Sequence, residues 1–368
     1  MRMKKIILIA AVAIAAAACS KTFDTNPAAS QKAIGFGSWN ETLTKARATG
    51  ADDTAFNNGD AFDVYGTKTL SGAKTVVFSG DDVTATVASG SVTWDYTTKR
   101  YWDPAATAYE FYAVLPANKL TAEANAGDYA KEGKFSGSFT FGDPKSDTKA
   151  NDIMIANQTS VAPAKFGQPV NMVFNHAASC IDVYVKKDVA LDGAVVKVTD
   201  LSILGIKNAG DFAVSNYTAS KPTVVWTNQA GTGNYSVIES ADVTVGGSTT
   251  YDASHNQTNT ATGAAKIVDG YVFMPQGLVA DTQKVKISYT IKVGTEEPNT
   301  YTDIEIDFNT FQESDTDDNH DSAHAITAWN TNTHYIYYIT IGAKAIKFTA
   351  EVVEWEATTV SGYHYIVK

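Results

Sequence analysis

The sequence predicts an all-β protein built from antiparallel β-sandwiches, on three observations. From about residue 60 onward, apolar residues recur at every second position, the period of a strand with one buried and one wet face. The runs are short and are separated by Gly, Asn, Asp and Thr turns, the spacing of a sandwich. After residue 18 no stretch keeps an apolar stripe of helical period over three turns. The chain has 368 residues, enough for two domains with their own cores. Its 44% hydrophobic and 11% aromatic content is that of a globular protein.

The first element is a targeting segment. "MRMKK" is a positive n-region, and Ile6 to Ala18 is an apolar run of 13 residues, too short to span a bilayer. The "AAAC" that follows resembles a bacterial lipobox, with Ala16 where Leu is usual and Cys19 as the residue that receives the lipid. The plainer alternative is an ordinary secretion signal with a chance cysteine. Under the lipobox reading, residues 1–18 are removed and the mature chain is anchored to the membrane by lipid. Only Cys180 then remains, in "SCIDVYV", so no internal disulfide forms and stability rests on packing. Cys180 reads as a small buried hydrophobe. The formal net charge is −11, and −14 once Arg2, Lys4 and Lys5 leave with the signal. That balance repels nucleic acid and anionic membrane surfaces.

A short first strand comes next. "AIGFGSW" (33–39) puts Ile34 and Phe36 on one face, and Gly35 and Gly37 make it a weakly held strand. "ETLTKARATGADD" (41–53) is a polar connector carrying Arg47, one of only three arginines in the chain. Aromatic strands follow in "SVTWDYTTKRYWDP" and "YEFYAVLP". Trp94, Tyr96, Tyr101 and Trp102 there read as core more readily than as a sugar-stacking platform. "QTSVAPAKFGQP" (158–169), with two prolines and no alternation, is the expected boundary between an N-terminal unit, 48–165, and a C-terminal one, 166–368. The cleanest strands come afterwards. Val285, Ile287, Tyr289, Ile291 and Val293 alternate with polar residues, as do Ile304, Ile306 and Phe308, and then Ile346, Phe348, Ala350 and Val352. "VSGYHYIVK" (360–368) ends the chain with Tyr363, Tyr365 and Val367 on one face.

Catalysis and metal binding find little support. "ESDTDDNHDSAH" (313–324) mimics the start of a calcium loop, but His320 stands where Gly is required and Ile326 where a bidentate Glu is required. His320 and His324 have zincin spacing without the Glu or a helix, so a solvated acidic loop is the better reading. His176 reads as a hydrogen-bonded structural histidine. The chain has no G-x-S-x-G elbow, P-loop or H-E-x-x-H motif, so neither an enzyme nor a cofactor is expected.

An ordered set of phrases carries a resemblance. "NNGDAFDVYG" (57–66), "RYWDPAATAYEFYAVLP" (100–116), "NDIMIANQ" (151–158), "VNMVFNHAASCIDVYV" (170–185), "YVFMPQGL" (271–278) and "ITAWNTNTHYIYYITIGAKAIKFTAEVVEW" (326–355) together resemble the fimbrillin family of Bacteroidales surface lipoproteins, the subunits of type V pili. The resemblance implies two tandem transthyretin-like β-sandwiches. It also implies outer-membrane lipidation at Cys19, and cleavage by an arginine-specific protease in a loop after the first strand. Arg47–Ala48 is the matching bond, with residues 19–47 as propeptide; a lysine-specific cut at Lys45 is the nearest rival. The strand carrying Ile34 and Phe36 would be expelled, and the groove it leaves would be filled by a neighbour's C-terminal segment, with Tyr363, Tyr365 and Val367 as donor residues. The expected partners are other pilus subunits, the protease, outer-membrane lipid before cleavage and a host or bacterial surface ligand. The rival function is a surface lipoprotein or tip adhesin that binds glycan without polymerising. "DTA" (53–55) and "DSA" (321–323) also match a short O-glycosylation pattern of related bacteria.

Overall fold

A computed structural model describes residues 32–37, 56–88, 91–117, 136–215, 222–238, 242–246, 264–311, 325–343 and 346–355. Cys19, Arg47, Ala48, the acidic loop 313–324 and the terminal segment with Tyr363, Tyr365 and Val367 lie outside the described residues. The first half holds β1 (Phe36–Gly37), β2 (Ala61–Leu70), β3 (Ala73–Ala88), β4 (Ser91–Asp95), β5 (Ala108–Leu115), β6 (Ser136–Thr140), the one-turn helix α1 (Thr148–Asn151), β7 (Met154–Val161), β8 (Val170–Asn171) and β9 (Phe174–His176). The second holds β10 (Ser179–Lys187), β11 (Ala194–Ile206), β12 (Ala209–Ser215), β13 (Thr223–Ala230), β14 (Gly233–Ser236), β15 (Val243–Val245) and β16 (Ala265–Phe273). It continues with β17 (Gln276–Gly277), β18 (Lys284–Val293), β19 (Asn299–Asp307), β20 (Ala328–Trp329), β21 (Thr333–Ile341) and β22 (Ile346–Glu354). The chain is thus all-β, as its periodicity predicts. No helix among the described residues is long and apolar enough to cross a membrane.

The N-terminal strands form one antiparallel six-stranded sheet in the order β4-β3-β2-β5-β7-β9. Its strands bury residues on both faces. One face presents Phe62, Phe78, Phe111 and Phe174, and is covered by Ile34, Phe36, Trp102, Phe166, Val170 and Met172. The opposite face presents Tyr65, Tyr112 and Ile155, and is covered by the three-stranded sheet β13-β12-β6 through Phe139, Phe212 and Trp226. That small sheet joins a strand of the first half to two of the second.

The C-terminal core lies between two larger sheets, β16-β10-β21-β22 and β14-β11-β18-β19, with β15 also paired to β11. Val285, Ile287, Tyr289 and Ile291 point into it as their alternation requires, while Val293 at the strand end is exposed. Two pairs, β1 with β8 and β10 with β21, are parallel within an otherwise antiparallel framework.

Candidate functional site

The first described segment, residues 32–37, lies in a groove on the aromatic face of the six-stranded sheet. Alternation does what strand geometry demands: Ile34 and Phe36 are buried, and a Cβ added at Gly35 would meet nothing within 4 Å. The Phe36 ring stands edge-on to four others. Phe78 is 5.5 Å away, Phe111 5.8 Å, Phe62 5.9 Å and Tyr96 6.0 Å between ring centroids, the edge-to-face arrangement that ring quadrupoles favour. Gly66 makes room for this cage. A Cβ there would fall 2.9 Å from Phe111 Cδ1 and 3.0 Å from the Glu110 carbonyl.

The backbone of the segment is held on two sides. On one, β1 runs parallel to β8, with Phe36 opposite Val170, and the Val170 N–H donates to the Gly35 carbonyl at 2.8 Å. On the other, Ala33 forms an antiparallel bridge with Tyr101. Around that bridge the Ile34 N–H donates to the Arg100 carbonyl (2.7 Å) and the Trp102 N–H to the Lys32 carbonyl (3.4 Å). The Tyr96 hydroxyl adds a 2.6 Å bond to the Ile34 carbonyl. Burial pushes the Tyr96 phenol up, so it stays a neutral donor. Two apolar anchors and a few backbone bonds therefore seat this segment, and Gly37 ends its short strand.

Arg100 sits against the segment's outer edge. Its Nε donates to the Val77 carbonyl at 3.0 Å, and its Nη2 lies 3.1 Å from Asp81 Oδ1. Of the four aromatics beside it in sequence, Tyr96 and Trp102 are core, Trp94 is half-buried against Phe56 and Phe62, and Tyr101 is exposed. No local signal separates Tyr101 from the rest; its outward direction follows from the bridge to Ala33.

Two polar clusters sit near the end of β9 and on the face of β10. His176 Nδ1 lies 2.7 Å from Asp152 Oδ1, and its ring stacks on Trp355 at 3.6 Å. Trp355 is the last described residue, and its N–H donates to the carbonyl of Asn332, whose Oδ1 accepts from the His176 N–H. The histidine is thus a structural tie, as the sequence suggests. Cys180, Asp182 and His334 bring ligand atoms within 4.8 Å of one another. Yet Asp182 is already engaged: its Oδ1 accepts from the Gly270 N–H (2.7 Å) and its Oδ2 faces Lys266 Nζ (3.0 Å) and His334 Nε2 (3.2 Å). Burial opposes the charge on Asp182, but these partners outweigh it and hold the carboxyl below its usual range. A cation would have to displace the Lys266 ammonium, so the group is an ion-pair network. Burial pushes the Cys180 thiol well up, and it is inert packing.

Comparison with known proteins adds the family. Residues 46–355 match the fimbrillin-like family. Among solved structures the chain is similar to a fimbrial protein from Bacteroides vulgatus, at 18% identity and a TM-score of 0.46 over 80% of this chain and 92% of that one. It is also similar to a C-terminally truncated tip fimbrial protein, Mfa3, from Porphyromonas gingivalis, at 14% identity and a TM-score of 0.41 over 85% and 98%. No curated protein matches the sequence. The family match extends over most of the sequence, and the chain belongs to the fimbrillin-like family.

Proposed function

We propose that the chain is a structural, non-enzymatic subunit of a bacterial cell-surface fimbria, a type V pilus that supports adhesion. In this reading it is exported as a lipoprotein on Cys19, cut after Arg47 by an arginine-specific protease, and polymerised by strand exchange. Residues 32–37 leave the groove between the six-stranded sheet and β8, and a neighbour's segment 360–368 enters the vacated groove. Family membership supports the pilus-related, surface-exposed part of this role.

One observation carries the exchange step: among the described residues, Ile34 and Phe36 fill an aromatic groove while the strand β1 that carries Phe36 is paired over only two residues. Removing it bares an apolar floor beside unpaired backbone groups at Arg100 and Val170, the template on which strand addition works. Tyr363 and Tyr365, or Tyr365 and Val367, have the spacing to replace Ile34 and Phe36. Burial of each such side chain contributes about 1.5–3 kcal/mol. N-terminal sequencing of the protein recovered from the cell surface tests the reading. Ala48 as the first residue supports it; a population that begins only at acylated Cys19 overturns it.

A further inference from the structure

We propose that the Arg100–Tyr101 peptide bond is a second, conditional cleavage site for an arginine-specific protease, masked while a strand occupies the groove and open once the groove is empty. The inference rests on the reading above for its protease. Its structural basis is the segment 32–37 and what it bonds.

A protease takes its substrate as an extended strand and engages the backbone on both sides of the scissile bond. Around Arg100 those groups are already taken. The Arg100 carbonyl accepts from the Ile34 N–H at 2.7 Å. The Arg100 N–H donates to Tyr96 Oη at 3.1 Å, whose hydroxyl is itself aimed at the Ile34 carbonyl. The Trp102 N–H reaches the Lys32 carbonyl, and Tyr101 bridges Ala33. Residues 100–102 thus form one half of a small antiparallel ladder whose other half is the segment that is proposed to leave.

What remains after that departure is weak protection. The Arg100 N–H keeps its bond to Tyr96 Oη, whose hydroxyl can turn to the Arg100 carbonyl 3.3 Å away. The guanidinium keeps its bonds to the Val77 carbonyl and Asp81, but the Arg100 side chain is 34% exposed, and a partly exposed pair of this kind contributes about 1 kcal/mol at most. Trp102, stacked on Phe166 at 4.9 Å, still holds the following residue in place. Emptying the groove therefore turns residues 100–102 into an extended edge with an arginine at its start and an exposed tyrosine after it. Hydrolysis would add water across the Arg100–Tyr101 bond, leaving a carboxylate on Arg100 and an ammonium on Tyr101. The cut severs the crossing from β4 to β5, two strands of the same sheet. A donor strand that pairs with residues 100–102 as residues 32–34 do restores the mask. The protease that opens the groove would then also remove subunits whose groove stays empty.

The scarcity of arginine makes the test clean, because the chain has only Arg2, Arg47 and Arg100. The full chain carrying Arg47→Lys is digested with an arginine-specific protease, and the Arg100–Tyr101 cut is timed by mass spectrometry. Because Arg47 is absent, the result does not depend on whether that bond is the natural processing site. The same chain is then tested with Phe36→Asp, which expels the anchor from the ring cage, and with Ile34→Pro, which deletes the N–H bonded to the Arg100 carbonyl and keeps an apolar side chain. The expected result is resistance in the first chain, cleavage at least tenfold faster with Phe36→Asp, and an intermediate rate with Ile34→Pro. A peptide spanning residues 31–38, added in trans, restores protection to a folded, empty groove. Equal rates in all three chains overturn the proposal. So does faster cleavage that the peptide fails to slow, since that marks general unfolding and not an opened edge.

Discussion

Two of the three hydrophobic cores among the described residues are closed in different ways. In the C-terminal core each wall is a sheet with long ladders: β11 and β18 pair from Ala194–Val293 to Leu204–Lys284 with one shift of register between Val198 and Asp200, and β10 and β21 pair in register from Ser179–Thr333 to Lys187–Ile341. The N-terminal core has one such wall. Over its aromatic face lie β1 and β8, a pair only two residues long, and the loops around Trp102, Phe166 and Met172. A long ladder opens only with its neighbours, whereas a two-residue strand opens locally at far lower cost. Under the proposed exchange, the lightly paired segment 32–37 is the part that leaves. Phe36, a large buried side chain, is carried there by a strand paired over only two residues, as Trp329 is on β20.

The sharpest way to break this contrast is to delete one anchor on each side. Phe36→Ala removes the ring from its cage and is expected to cost about 3–5 kcal/mol. Ile287→Ala, fully buried in the C-terminal core, is expected to cost about 2–5 kcal/mol. Denaturant unfolding should show similar losses, but only Phe36→Ala should raise protease-triggered assembly. If Ile287→Ala raises it equally, global instability and not local attachment controls exchange.

Gly66→Ala strikes the groove floor, where the new methyl group meets the Phe111 ring, and is expected to cost about 1–3 kcal/mol. The penalty should fall on chains with a filled groove and shrink in those lacking Phe36, which a double-mutant cycle reads. Tyr96→Phe removes the hydroxyl's bond to the Ile34 carbonyl and its acceptance from the Arg100 N–H, and is expected to weaken the seat of β1 by about 1–3 kcal/mol. Amide exchange of residues 33–36 should accelerate while that of β18 is unchanged.

A last prediction concerns the closed unit alone. Lys186 is buried with its Nζ 4.9 Å from the Tyr338 ring centroid, and burial lowers its pKa to about 8. Its folded value lies below the unfolded one, so between about pH 8 and the usual lysine value the unfolded chain binds more protons and stability rises with pH. In a Cys180→Ala background, which removes the opposing loss from the buried thiol, thermal melts below pH 10, before unfolded tyrosines ionise, should therefore move upward from pH 8. Lys186→Met should abolish that rise and increase the melting temperature at pH 7, with no change in strand exchange.

Much of this was legible in the residues, and the exceptions have physical causes. Alternation marks Ile34 and Phe36 as inward, and likewise Val285 to Ile291, because period two fixes the face of a strand whatever it pairs with. It does not reveal the partner. The parallel pairing of β1 with β8 joins segments more than 130 residues apart, and nothing local encodes it. The sheet β13-β12-β6 was not legible as a joint between the two halves for the same reason. On β10, Cys180 is buried as its sequence suggests, but Asp182 and Lys186 are buried with it, which alternation does not announce. In this central strand Asp182 is held by Lys266, His334 and the Gly270 N–H, while Lys186 Nζ lies over the Tyr338 ring. Arg100 shows the reverse: its shielding is foreshadowed by aromatic neighbours, but the bond from Ile34 that supplies it is visible only in three dimensions.

The central claim, that residues 32–37 must leave the groove before subunits join, has a direct test at the Ala33–Tyr101 bridge. The bonds Ile34 to Arg100 and Trp102 to Lys32 flank that pair, making it the non-hydrogen-bonded type whose side chains approach closely enough for a disulfide. Cys180 is buried and does not compete. A chain with Ala33→Cys and Tyr101→Cys is oxidised, treated with an arginine-specific protease and followed by size-exclusion chromatography, with and without reductant. Monomers are expected while the disulfide is intact and polymers once it is reduced. Polymers of equal length and yield under both conditions would contradict the claim.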